Sequence, residues 1–395
     1  MERRTPFYDY HLRNANRLIK GGGDFMFPEV YTSNVEEHLN TRANVGLQDL
    51  STMGEVDVKG PGAERLLNQL CVNELRDLIP GQARYSTMVN EQGGVVDDVT
   101  VYKFNDEHYL VVTSSGPRKK TARWISERAY GHAAYITDVT AAIALPVVQG
   151  PKSREFLQSI IKDADLSKLK FFRFVQATVN ETPVILSRSG YTGELGFELY
   201  SPAEEAGALW DYLLQAGKPF GLKPYGVLTM QTLRLEKALP LYGLDITEDL
   251  TPFHLGLDKW IRFDKREFIG REALLRIQER GIQQRFVGLV LQSEAPANAK
   301  DKVFALRDLA TFKDEKDSGP DAGSLEDTVK GGQEVGYITY SNRGHSVGKM
   351  LALAYVNITH AYPGARLVVN IAGRQVSATV TPTPFFDPGG LRLRG

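Results

Sequence analysis

Apolar and polar positions alternate with a period of two over residues 54–58, 83–89, 95–104 and 108–114, which predicts strands; residues 63–72 and 118–130 repeat at helical spacing. The polar cluster Asn105-Asp106-Glu107 joins the last two strands as a hairpin, and Asn90-Glu91-Gln92-Gly93-Gly94 reads as the turn that leads into them. A comparable mixture returns with strands at 142–148, 177–179, 184–188 and 196–200 and helices at 153–161 and 204–216. From residue 284 strands dominate, at 284–291, 334–340, 349–356, 366–371 and 374–381, which predicts a small separate β-barrel or sandwich. Within it, 295–332 holds Asp, Lys, Gly and Ser in excess, the pattern of a long exposed insertion. Strands and helices mix without a βαβ rhythm, so the fold class is α+β. The domains expected are 1–280, α+β, and 281–395, the barrel with its inserted loop.

Composition narrows the function class. The chain has 395 residues, more than the roughly 250–300 at which single cores stop growing. It is 42% hydrophobic and 24% charged, the balance of a folded globular protein. Lys plus Arg number 47 against 48 Asp plus Glu, which gives no electrostatic pull toward nucleic acid or an acidic membrane. The opening Met1-Glu2-Arg3-Arg4-Thr5-Pro6 lacks an apolar leader pattern, and no run approaches about 18 apolar residues, so the expected location is the cytoplasm. Cys71, the single cysteine, lies in an apolar helical stretch and reads as core, and no metal site is expected.

The densest chemical signal is Val95-Val96-Asp97-Asp98-Val99-Thr100-Val101-Tyr102, two adjacent carboxyls in an apolar strand after a glycine turn. Alternation puts Asp97 with Val99 and Val101 on a core face and Asp98 with Thr100 and Tyr102 on a mixed face that could line a cavity. Asp98 is therefore the better placed acid or base. In Ser189-Gly190-Tyr191-Thr192-Gly193-Glu194-Leu195-Gly196-Phe197-Glu198, three glycines allow a backbone to come close to a ligand. Glu198 on the strand leaving that loop suits paired hydrogen bonds to a flat amidine-like edge, with Tyr191 beside it. On the helix before Pro240, Arg234, Glu236 and Lys237 read as a solvated or interdomain ion-pair set. Nucleotide-loop, zinc-protease and nucleophile-elbow motifs are absent.

Taken in order, Val45-Gly46-Leu47-Gln48-Asp49, Met53-Gly54-Glu55-Val56-Asp57-Val58-Lys59-Gly60-Pro61, Gly93 to Asp98, Gln149-Gly150-Pro151-Lys152, the Gly190 to Glu198 loop, Leu233 to Gly243 and Phe268-Ile269-Gly270-Arg271 resemble the aminomethyltransferase (glycine cleavage T-protein) family across nearly the whole chain. The resemblance implies two related α+β domains and a C-terminal β-barrel around a central hole, with tetrahydrofolate as the cofactor. It implies that Asp98 is the catalytic carboxylate beside the reactive folate nitrogens and Glu198 the pterin-binding acid. Tyr85, Tyr191 and Thr113 complete the folate pocket it implies.

Departures from the family pattern concern the one-carbon donor. Thr229-Met230-Gln231 stands where glycine-cleavage enzymes carry Ala-Arg-Asp, Thr251-Pro252-Phe253-His254 where they carry Pro-Phe-Glu or Pro-Tyr-Glu, and Ser51-Thr52-Met53-Gly54 where they carry Ser-His-Met-Gly. These positions are more similar to folate-dependent demethylases and to the folate domains of sarcosine- and dimethylglycine-oxidising enzymes. The expected function is accordingly a tetrahydrofolate-dependent methyltransferase or demethylase acting on a small N- or O-methylated substrate, with His254 a substrate-side acid or base. The alternatives are a glycine cleavage aminomethyltransferase forming methylenetetrahydrofolate and a non-enzymatic iron–sulfur maintenance relative, whose Lys-Gly-Cys-Tyr-x-Gly-Gln motif Cys71 does not match. A flavin oxidase partner supplying an imine and assembly as a homo-oligomer stay open; nucleic acid and membrane are not expected partners.

Overall fold

The computed structural model describes residues 3–21, 25–306 and 331–395. They form two compact units, one of Met1–Arg234, Leu239–Arg280 and Gly389–Gly395, the other of Leu235–Ala238 and Gly281–Pro388. The division differs from a cut at residue 280 because the C-terminal tail returns to the first unit, where Arg392 Nε donates to both oxygens of Glu194 at 2.8 and 2.9 Å.

The first unit is built on two large sheets. One is antiparallel throughout and runs Gln82–Val89, Val95–Asn105, His108–Thr113, Gly54–Lys59, Tyr135–Asp138. The other runs Phe174–Val179, Thr182–Ser187, Gly196–Pro202, Pro146–Gln149, Val45–Asp49, Leu222–Pro224, with the last strand parallel to its neighbour. Each sheet has one face covered by helices. Ala63–Leu70 and Arg118–Arg128 supply Leu66, Leu67, Leu70 and Ile125 to a core with Val56, Val99, Val101 and Val111. Ser153–Ile160 and Ala206–Ala216 supply Phe156, Leu157, Trp210 and Leu213 to a core with Leu47, Val148, Phe197 and Leu199.

The remaining faces of the two sheets meet each other. Ala83, Tyr102, Leu110 and Val112 from the first pack on Leu145, Val147, Phe174 and Tyr200 from the second. Each large apolar side chain buried there contributes roughly 1.5–3 kcal/mol, more than the about 1 kcal/mol of a typical hydrogen bond, so apolar contact sets the spacing of this seam. Polar groups that the same alternation places along the seam are therefore held in a wall of fixed position.

The second unit is a closed barrel in the order Gln284–Leu291, Lys349–Asn357, Gly331–Gly344, Lys302–Leu306, Arg366–Ile371, Arg374–Thr381. Its interior is apolar, with Leu289, Val303, Ile338, Ala352, Ala354 and Val369 buried together. Composition assigns Lys302–Leu306 to the insertion, yet it is a barrel strand paired on both edges. Flanking Asp and Lys residues mask the short run Val303-Phe304-Ala305-Leu306, which is long enough to pair but too short to dominate a composition window. Residues 307–330 of the expected insertion lie outside the described residues.

Candidate functional site

Asp98 sits on the strand Val95–Asn105, and its surroundings follow from the register there. A bulge separates the pairs Val89↔Val95 and Met88↔Asp97, so Val96 turns into the helix-covered core with Val99 and Val101. Beyond the bulge alternation holds: Asp97 is fully buried on the core side, and Asp98, half-buried, faces the seam. The Ser114 hydroxyl donates to Asp98 Oδ1 at 2.9 Å, and the Tyr85 hydroxyl, from the neighbouring strand, donates to Oδ2 at 3.2 Å. Burial raises the Asp98 carboxyl above the ordinary aspartate range, and the Ser114 and Tyr85 hydroxyls pull it back. Ionisation of Tyr85 is opposed by burial first and then by Asp98 and Tyr191, which places the three groups in one neighbourhood.

Glu198 lies across the seam on Gly196–Pro202. Its Oε2 accepts from the hydroxyls of Tyr200 at 2.8 Å and Tyr102 at 3.2 Å, and Tyr102 belongs to the Asp98 strand. Tyr102 thus carries the face of the strand on which Asp98 lies, four residues on, into contact with Glu198. Neither tyrosine uses Oε1. Burial raises the Glu198 carboxyl, and Tyr200, Ser189 and Tyr102 favour its charged form.

Tyr191 projects from the glycine loop and bonds the carbonyls of Leu239 at 3.2 Å and Pro240 at 2.5 Å. Those carbonyls belong to a segment fixed by a buried ion pair. Arg234 Nη1 donates to Asp245 Oδ2 at 2.6 Å and to the Leu239 carbonyl at 3.2 Å, and the Leu241 amide donates to the same Asp245 oxygen at 2.9 Å. Both side chains are 0% exposed, so the expectation of a solvated or interdomain ion-pair set does not hold for Arg234. Its partner lies 11 residues away, beyond Pro240, outside the reach of a helix-face reading.

The glycines of the loop serve an internal contact. A Cβ on Gly190 or Gly196 would stand 2.0 or 2.3 Å from the Gln149 amide group, which is buried and accepts from Thr192 at 2.8 Å. The close backbone approach is thus made at Gly190 and Gly196, and it is made to Gln149.

The other expected site residues fall in different places. Thr113 is fully buried, and its hydroxyl would meet a Cβ on Gly54 at 2.4 Å. It lies on the helix-covered face with Val111, whereas the next residue, Ser114, reaches Asp98. His254 is half-buried in a loop whose Leu250 carbonyl accepts from Val95 N at 2.8 Å, at the start of the Asp98 strand. The Thr251 amide donates to His254 Nδ1 at 3.1 Å, so the neutral ring carries its proton on Nε2, and burial lowers its pKa. The structure therefore brings together Asp98, Tyr85, Tyr191 and Glu198, sets His254 in an adjoining loop with bonds inside that loop, and turns Thr113 to the opposite face. Ser114, Tyr102 and Tyr200 are additional members that the sequence reading left out.

A flat aminopyrimidine edge fits this arrangement. A carboxylate offers about four lone-pair sites, and the tyrosine contacts at Glu198 occupy one oxygen. If Glu198 holds the pterin edge, as the family resemblance implies, Glu198→Gln should weaken tetrahydrofolate binding about 10- to 100-fold, the scale of a charge-assisted hydrogen bond, as read by calorimetric titration. An unchanged affinity would place the edge elsewhere.

Comparison with known proteins bears on the same region. Residues 7–265 match the GCVT N-terminal domain, and 307–387 match the glycine cleavage T-protein C-terminal barrel domain. The chain belongs to the glycine cleavage T-protein family. It is 36% identical to an aminomethyltransferase of Desulforamulus reducens over 386 residues, covering 97% of this chain and 98% of that one. It is 37% identical over 390 residues to an aminomethyltransferase of Symbiobacterium thermophilum, covering 97% of each. Among solved structures, the glycine cleavage system aminomethyltransferase T from Bartonella henselae superposes with a TM-score of 0.85 at 26% identity, covering 98% of this chain and 99% of that one. The α+β region and the closed barrel are thus the family fold. The expected leaning toward demethylases is not what these relatives favour, since they are aminomethyltransferases over essentially their full length.

Proposed function

We propose that this chain is a tetrahydrofolate-dependent aminomethyltransferase, which takes an aminomethyl group from a lipoyl carrier and delivers its carbon to folate as methylenetetrahydrofolate, releasing the nitrogen as ammonia and the carrier as its free thiol. The observation that carries the proposal is the pair Asp98 and Glu198, facing one seam, with Tyr102 of the Asp98 strand bonded to Glu198, in a chain of this family. In this reading Glu198, steadied by Tyr200 and Tyr102, holds the pterin edge, and Tyr85 and Tyr191 line the pocket. Tetrahydrofolate supplies the nucleophilic nitrogens. The chain supplies placement and proton management, the contributions that such a transfer needs most. Asp98, its pKa raised by burial and its carboxylate oriented by Ser114 and Tyr85, is the group that accepts and returns the proton.

A second reading has one specific support. Met230, at the position where the family carries an arginine, is 8% exposed and packs with Tyr225, Leu233 and Tyr191. An apolar patch beside Tyr191 suits a methylated donor with no anionic group. Anaerobic incubation with tetrahydrofolate separates the two. An aminomethyl-lipoyl carrier protein should give methylenetetrahydrofolate by mass, while a panel of methylated amines, sulfonium compounds and methoxyaromatics should give no methyltetrahydrofolate. Methyltetrahydrofolate from the panel would favour the second reading, and no folate product from any donor would remove both.

A further inference from the structure

Asp97 is the one member of the carboxyl pair that the proposed chemistry does not use, and the structure gives it a full set of contacts. Its side chain is 0% exposed. One oxygen, Oδ2, lies 2.6 Å from the Thr121 hydroxyl on the helix Arg118–Arg128, and the other, Oδ1, accepts the Asp98 amide at 2.8 Å. Among the described residues no cation pairs with Asp97 or Asp98. On the same helix Lys120, next in sequence to Thr121, is committed to the Tyr242 hydroxyl at 2.8 Å and to Glu248 at 3.1 Å. The other titratable groups that face the pair are Tyr85 from the neighbouring strand, Tyr191 from the glycine loop and Tyr242 from the loop after Pro240, and none of them carries positive charge.

Two carboxyls on adjacent residues, one walled off from water and neither matched by a cation, cannot both be charged cheaply. We infer that Asp97 is a positioning residue and proton store for Asp98: the pair holds one proton and one negative charge through the neutral range, with Asp97 pinning the Asp98 amide from the core side of the strand. The proton stays on Asp97, the more deeply buried of the two, so Asp98 presents a carboxylate to the reacting groups at neutral pH. Because the two share one strand and one amide bond, a change of charge on either is felt by the other, and they titrate as a unit. Burial raises both carboxyls, and at Asp97 the neighbouring Asp98 charge is the next cause. The inference rests on the folate reading only for what Asp98 touches; the titration belongs to the free protein.

The test is a carbon-13 NMR titration of the aspartate carboxyls in the intact chain, with Asp98 assigned by loss of its signal in Asp98→Asn. Two steps should be seen at Asp98, one near the carboxylate range and a second at least about two pH units higher. Asp97→Asn keeps the amide acceptor and should leave Asp98 with a single step, the higher one gone. Thr121→Val, which removes the hydroxyl that favours a charged Asp97, should move the higher step further up and leave the lower one in place; this variant carries the test where Asp97→Asn does not fold. A purely structural Asp97 would move neither step. A single Asp98 midpoint, equal in the wild type and both variants, overturns the inference. Since no folate or donor is present, that outcome is separate from failure of the transferase reading, which the product assay alone decides.

Discussion

Asp98→Asn should lower single-turnover transfer to tetrahydrofolate by about 10²–10⁴-fold, the usual worth of a positioned acid or base, while folate affinity stays within about threefold of wild type. The asparagine keeps the length of the side chain: its oxygen can accept from one of the Ser114 and Tyr85 hydroxyls, and its NH2 can donate to the oxygen of the other. What it removes is proton transfer. The same substitution should not lower the melting temperature above about pH 5. The Asp98 pKa is raised in the folded state, so folding is favoured by this group below its unfolded pKa and disfavoured as pH climbs through its folded value. A neutral side chain removes that cost, and Asp98→Asn should hold or gain stability at neutral and higher pH. A quench-flow measurement paired with a thermal melt reads both effects, and full turnover in the variant would take Asp98 out of the mechanism.

Asp245→Asn is the largest expected change in stability, a loss of about 3–5 kcal/mol, because it removes the negative charge from a fully buried ion pair. The loss has a functional side. Arg234 and Asp245 hold the Leu239 to Leu241 backbone, and two of its carbonyls hold Tyr191. Chemical denaturation should show a lower midpoint at unchanged slope, and the folate affinity of the remaining folded protein should fall as Tyr191 loses its anchor. A shift under about 1 kcal/mol would mean that Arg234 finds another partner. The contrast with Asp98→Asn is informative: one acid contributes to holding the fold, the other burdens it, and burial with or without a cation decides which.

The readable part of the site is the part governed by strand alternation. Asp98 separates from Asp97 because period two holds from Asp97 onward, and Glu198 stands out because it follows a loop whose glycines mark a tight approach. The bulge at Val96 leaves no mark in the residue types, and had it fallen one position later it would have exchanged the roles of the two acids. Thr113 and Ser114 differ for the same kind of reason. Thr100 pairs with Val112, so two residues further along Ser114 comes beside Asp98, but a shift between Lys103 and Asn105 hides this from a count begun at the hairpin. Tyr102 and Tyr200 could have been found, since each shares its face with an acid two or four residues away. The Arg234–Asp245 pair and the Gln149 contact could not, because they depend on chain crossings that no local period records. In the barrel, five strands show as apolar runs and Lys302–Leu306 does not, for want of length.

The central claim is geometric: one seam between two sheets holds the pterin edge at Glu198 and the reactive nitrogens near Asp98. A crystal structure of the intact protein with tetrahydrofolate tests it most directly. The account predicts the aminopyrimidine edge within hydrogen-bond distance of the Glu198 carboxylate, the ring system lined by Tyr85 and Tyr191, and the reduced-ring nitrogen closest to a side-chain carboxyl facing Asp98. Folate bound with its edge on another acid, or with Asp98 turned away from the ring, would contradict it.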